Sequence, residues 1–89
     1  MAGFTGMDIV AVRNLSTQMS TKATEIEGIR DQLSSLLGNT EWVGPDQVRF
    51  KGDWDNQCVQ ALTRVAGTLN DASRAAQQNA EQQEQASNT

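Results

Sequence analysis

Histidine and tyrosine are absent from this 89-residue chain, and cysteine and proline occur once each. Without histidine the chain lacks the usual general base and the commonest transition-metal ligand. Without tyrosine it has no phenolic acid or nucleophile. A single cysteine, Cys58, permits neither an internal disulfide nor a cysteine metal cluster. The remaining carboxylates and lysines form no recognisable catalytic constellation. The sequence therefore reads as non-enzymatic, with no catalytic residue, cofactor or metal site. Aromatic residues make up 4% and hydrophobic residues 37% of the chain, and the net charge is −4. No basic stripe of the kind a nucleic-acid binder needs is present. The longest strongly apolar run, Ile9 to Val12, is far too short to span a bilayer, so no stable membrane insertion is expected. Neither arm pairs a basic polar face with a large apolar one, as a helix lying in a membrane interface would. Met1 to Met7 shows no basic segment and no long apolar stretch, so a cleavable secretory signal is not expected.

What the chain does have is two long amphipathic segments on either side of Glu41-Trp42-Val43-Gly44-Pro45-Asp46. In the first, Thr5 and Asp8 stand in capping-box spacing, and Asp8 could cap by itself. Apolar residues then recur at Val12, Leu15, Met19, Ile26, Ile29, Leu33 and Leu36. The steps alternate between three and four, a heptad seam with Lys22 as its single polar occupant. Lys22 has two readings: its stem packs along the seam while the ammonium reaches water, or it meets an acid on a partner and fixes register. The charged and hydroxyl residues off the seam read as a solvated face. Gly38 or Asn39 is positioned to take a left-handed cap.

Pro45 suits the first position of the second helix, and Asp46 complements the positive end of its dipole. Arg49 and Asp53 are spaced to pair at the surface. Phe50, Trp54, Cys58 and Leu62 follow at steps of four, after which Val65, Leu69, Ala72 and Ala76 return to alternating threes and fours. Gly52 and Gly67 are helix-interior glycines, and Gly67 beside Ala66 could admit a close helix. Cys58, on the inward series with no cation nearby in sequence, reads as a small hydrophobe rather than a reactive thiol. After Ala75 the composition turns to alanine, glutamine and glutamate with no large apolar anchor. Fraying is expected beyond Ala80, with Ser87, Asn88 and Thr89 disordered.

The expected fold is all-α: one domain over residues 1–89, with helix one at about 7–38, a turn at 39–45, helix two at about 46–80 and a frayed tail at 81–89. A short connection makes the helices pack antiparallel. One contact line cannot cover both apolar faces of such a hairpin, and the exposed strip marks an interface. The economical solution is two hairpins forming a four-helix bundle. The expected hairpin and dimer interfaces take up Val12, Leu15, Met19, Ile26, Ile29, Leu33, Leu36, Phe50, Trp54, Cys58, Leu62, Val65 and Leu69.

The turn itself, with Trp42, Gly44 and Pro45 as its defining residues, resembles a known family. Trp42-Val43-Gly44 matches the Trp-x-Gly motif between the two helices of the early-secreted-antigen-like (WXG) proteins. Phe50 eight residues on and Trp54 four beyond it fall where that family commonly carries aromatic or apolar residues. The Met-Ala-Gly-Phe opening and the first-arm heptad are similar to actinobacterial members. The resemblance covers nearly the whole chain. It implies a homodimer, or a heterodimer with a paralogous WXG-family subunit, folded in the cytoplasm and exported by the type VII (ESX) secretion system without a cleaved signal. It also implies recognition by that system's membrane ATPase, with the turn of one subunit beside the C-terminal tail of the other. One element is missing. The family's tyrosine, followed four residues later by an acid, should fall at Ala76 and Ala80. The resemblance thus implies a partner that supplies this signal; the alternative is an intracellular adaptor that is not exported. Trp42 then has two readings, a ring filling the end of the bundle or an exposed contact for the secretion machinery.

Overall fold

A computed structural model describes residues 7–88, with the side chain of Asn88 excepted. Two long rods of helix lie side by side. The first, α1, covers Ile9–Asn39. The second is built of α2 (Pro45–Asp53), one π-helical turn (Trp54–Cys58) and α3 (Val59–Asn88), which follow without a break. The molecule measures 65 × 18 × 14 Å. An antiparallel helical hairpin is the architecture, and no strand occurs among the described residues.

Each end of the rods has a local cause. Asp8 caps α1: its backbone is extended (φ −89°, ψ 101°) and its carboxylate accepts from the Ala11 amide at 3.0 Å. That satisfies one of the amide donors a helix start leaves free. Thr5, the other half of the expected capping box, lies outside the described residues, as do the opening tetrapeptide and Thr89. At its far end α1 makes no left-handed cap at Gly38 or Asn39. It runs through Asn39 into an extended Thr40 (φ −95°, ψ 130°). The reversal falls to Gly44 instead, whose φ of 133° is the one positive value among the described residues. Its ψ is 175°, a region essentially closed to residues with a Cβ. A Cβ there would meet no atom within 4 Å, so the demand is conformational and not one of space. Gly44→Ala is expected to cost about 1–3 kcal/mol, read as a lower urea midpoint with unchanged slope. No loss of stability would show that the turn relaxes to another geometry. Pro45 follows at the first helical position, as its fixed φ and missing amide favour.

The 4-4-4 spacing of Phe50, Trp54, Cys58 and Leu62 has its explanation in the π turn. In a straight α-helix, steps of four drift about 40° around the axis each time. The wider π turn, closed by the Val59 amide donating to the Trp54 carbonyl, takes back that drift. α3 continues to Asn88 instead of fraying after Ala80. Ala80 is fully buried, and Glu84 accepts from Arg13 at 2.8 Å, tying the tail to the start of α1.

The contact between the rods is made by small residues. On α1 the buried positions are Ser16 and Ala23; on the second rod they are Ala66, Ser73 and Ala80, joined at the tip by Trp54. Ser16 and Ser73 face each other, and each hydroxyl donates to the other's carbonyl, at 2.8 and 2.7 Å. Seven-residue spacing from that pair sets Ala23 opposite Ala66, and Ile9 opposite Ala80. Small side chains let the axes approach closely. The reciprocal hydroxyl bonds pin the register, since any slip would bury unpaired polar groups. No buried side-chain polar atom lacks a partner among the described residues.

A candidate interaction face

Close packing through alanine and serine leaves the large apolar residues beside the seam and not in it. Val12, Met19, Ile26, Leu62 and Leu69 are half-buried along its edge. Leu15, Ile29, Leu33, Leu36 and Val65 are exposed, between 41% and 58%. On α1 each outer residue precedes an inner one by a single position: Leu15 before Ser16, Lys22 before Ala23, Ile29 before Arg30. On α3 the order is the same, with Cys58 before Val59, Val65 before Ala66 and Ala72 before Ser73. Both helices are right-handed and they run antiparallel, so the same one-residue step turns both outer rows to the same side of the hairpin. The result is one long apolar face, interrupted at mid-length by Lys22. The total accessible surface, 6432 Å², exceeds by about a quarter the value typical of a compact chain of this mass.

At the tip, Trp42, Phe50 and Trp54 form an aromatic ladder with ring centroids 6.1 and 6.4 Å apart. Its inner rung, Trp54, is 6% exposed, and its indole N–H donates to the Ser34 hydroxyl at 2.9 Å. The outer rungs stay open: Trp42 is 43% and Phe50 42% exposed, beside Val43 and Val48. Trp42 combines features of both readings: its ring lies against Phe50 while 43% of the residue stays exposed. Cys58 sits half-buried in the π turn.

Apart from Arg13–Glu84, which joins the two rods, the ion pairs of the described residues are local. Lys22 reaches Glu25 on its own helix at 3.2 Å. Arg30 donates its Nε to Asp31 at 2.9 Å and an Nη to the Thr63 hydroxyl at 2.9 Å. The Arg30 bond holds the Asp31 carboxyl below its ordinary value and raises the guanidinium above its own. Arg74 pairs with Asp71. Arg49 meets Asp46 at 3.9 Å, one turn back, in place of the expected Asp53. No group of His, Cys, Asp and Glu that could hold a metal ion occurs among the described residues. Nor, among them, is any helix long and apolar enough to cross a membrane.

The expected interface residues thus divide into three. Trp54 enters the hairpin core. Val12, Met19, Ile26, Leu62, Leu69 and Cys58 border it. Leu15, Ile29, Leu33, Leu36, Val65 and Phe50 stay largely outside. The residues that sequence reasoning missed are Ser16, Ala23, Ala66, Ser73 and Ala80. Their signal was available as small side chains repeated every seven positions, a pattern overshadowed by the bulkier row next to it. Comparison with family models, with curated proteins and with solved structures gives no match for this chain.

Proposed function

We propose that this chain is a non-enzymatic interaction module, one half of a four-helix bundle whose second half is another helical hairpin. The observation that carries the proposal is the apolar face made by Leu15, Ile29 and Leu36 on α1, broken at Lys22, and by Val65 on α3, with 48% or more of each of these apolar residues exposed on one side of the hairpin. Apolar faces of that length on small soluble chains mark an interaction surface. A second hairpin is the natural cover, because its own outer row has the same length and heptad period. Sedimentation at micromolar concentration tests this: a complex of two chains is expected, and a folded 9.7 kDa monomer, with no binding to any second hairpin, overturns it.

A second reading is favoured by the turn. Trp42 and Gly44 have the Trp-x-Gly arrangement, with the tryptophan 43% exposed and the glycine in a conformation other residues resist. On this reading the bundle is a cargo of type VII secretion, exported folded and delivered to the secretion ATPase. The partner, a paralogous subunit, supplies the tyrosine and acid that Ala76 and Ala80 do not. The same hairpin retained in the cell as an adaptor is the alternative. Culture supernatants separate the two. Export that depends on a co-expressed paralogue, and is lost in Trp42→Ala at unchanged melting temperature, supports secretion. Retention of the chain under every partner supports the adaptor.

A further inference from the structure

Lys22 is out of place on the outer row, and its position bears on what covers that row. We infer that the occupant of the face is a second copy of this chain, laid antiparallel, with Lys22 and Glu25 of both copies forming a four-charge cluster on the two-fold axis. The inference rests on the reading of the face as an interface and goes further by naming the partner and its arrangement.

The apolar positions of α1 are arranged symmetrically about residue 24. Val12 and Leu36 lie twelve residues to either side of that point, Leu15 and Leu33 nine, Met19 and Ile29 five, Lys22 and Ile26 two. An antiparallel second α1 centred there meets each residue with its counterpart, so every layer but two joins two large apolar side chains. The exceptional layers are the two at the centre, where Lys22 of each copy meets Ile26 of the other. Lys22 already bonds Glu25 of its own helix at 3.2 Å, with both side chains more than half exposed. Under the two-fold, the other copy's Glu25 arrives within one residue of the level of Lys22, an axial offset of about 1.5 Å. Each lysine then stands between two glutamates. The glutamates, which would repel each other across the axis, are separated by cations, and the cluster is neutral.

Two further observations agree with this geometry. Glu25 is the one charged residue on its own row, which otherwise holds Ala11, Gln18, Gln32 and Asn39, so no other charge on that flank competes for Lys22. The Ser16–Ser73 register sets residue 24 level with about residue 65 on α3. Val65, 48% exposed on the outer row, therefore falls at the same axis and meets its own copy, while Cys58 and Ala72 lie symmetrically about it. The parallel arrangement, with both tips at one end, fits poorly. It sets Lys22 against α3 near residue 67, where positions 63 to 70 offer no carboxylate and Arg64 adds a like charge. On the export reading, a self-paired bundle contains no tyrosine in either subunit and has to exchange one copy for a partner that carries it.

The test uses four forms of the full chain: wild type, Lys22→Glu, Glu25→Lys and the double swap. Circular dichroism checks that each is helical, and sedimentation velocity gives the association constant. Wild type is expected to self-associate, and each single variant to weaken self-association by about tenfold or more, because like charges now face each other across the axis. A one-to-one mixture of the two single variants, and the double swap alone, are both expected to recover association. Single variants that pair as wild type overturn the cluster, as does a mixture that stays monomeric while wild type pairs. Wild type that is monomeric alone but binds a paralogous hairpin overturns the second copy and leaves the interface standing. Wild type that binds neither overturns both.

Discussion

Trp54→Ala is expected to lower stability by about 3–5 kcal/mol, enough to leave much of an 89-residue chain unfolded at 37 °C. Trp54 is the one large side chain among the described residues that the hairpin buries below a tenth of its surface. Its removal opens a cavity at the tip and strips the Ser34 hydroxyl of its indole donor. Trp42→Ala is expected to cost much less, about 1–2 kcal/mol, since nearly half of that residue stays in water. Urea denaturation followed by ellipticity, at protein concentrations low enough to keep the hairpin monomeric, measures both. Equal losses for the two tryptophans would mean that the outer ring is packed as firmly as the inner one.

The second large effect concerns the seam. Ala66→Leu adds three carbons at a position with no exposed surface, and the register holds Ala23 directly opposite. The added bulk has to part the helices, straining the Ser16–Ser73 bonds one turn pair away. The expected loss is about 1–3 kcal/mol, at the upper end because Ala23 opposite is itself fully buried and has no flexible side chain to move aside. Ala75→Leu, on the exposed side of the same helix, is the control and is expected to change stability by less than about 0.5 kcal/mol. A stabilised Ala66→Leu would show that the rods are not in close contact there.

Much of the hairpin was legible in the residues. Asp8 before an apolar heptad, and Gly44-Pro45-Asp46 before a second, place the two helix starts because each supplies what a helix N-terminus lacks. Which row closes the hairpin was not legible. Val12, Met19 and Ile26 belong to two adjacent rows at once, one carrying Ser16 and Ala23, the other Leu15 and Ile29. Heptad spacing announces a seam of that width without choosing between its sides. Sequence reasoning weights the bulkier row because burial scales with apolar area, whereas two axes joined by a short turn come closest over serine and alanine. The helix end was missed for a related reason. Ala80 and Glu84 looked weak as anchors, yet a methyl group suffices in a narrow seam, and Arg13 reaches across for the carboxylate. The cap at Gly38 was misplaced because extended Thr40 carries the chain out of α1 without a left-handed residue.

The π turn at Trp54–Cys58 has a mechanical consequence. One residue more than an α-helical turn would use is stored there, so the tip and the shaft of the hairpin are indexed separately, as two dials on one spindle. Rewinding the same five residues as regular α-helix, with none removed, would rotate everything before them by roughly a quarter turn, because the stored residue would then add about 100° of its own. The aromatic ladder would then point to another quarter of the compass while the apolar face of α3 stayed where it was. The stored residue is what aims the turn.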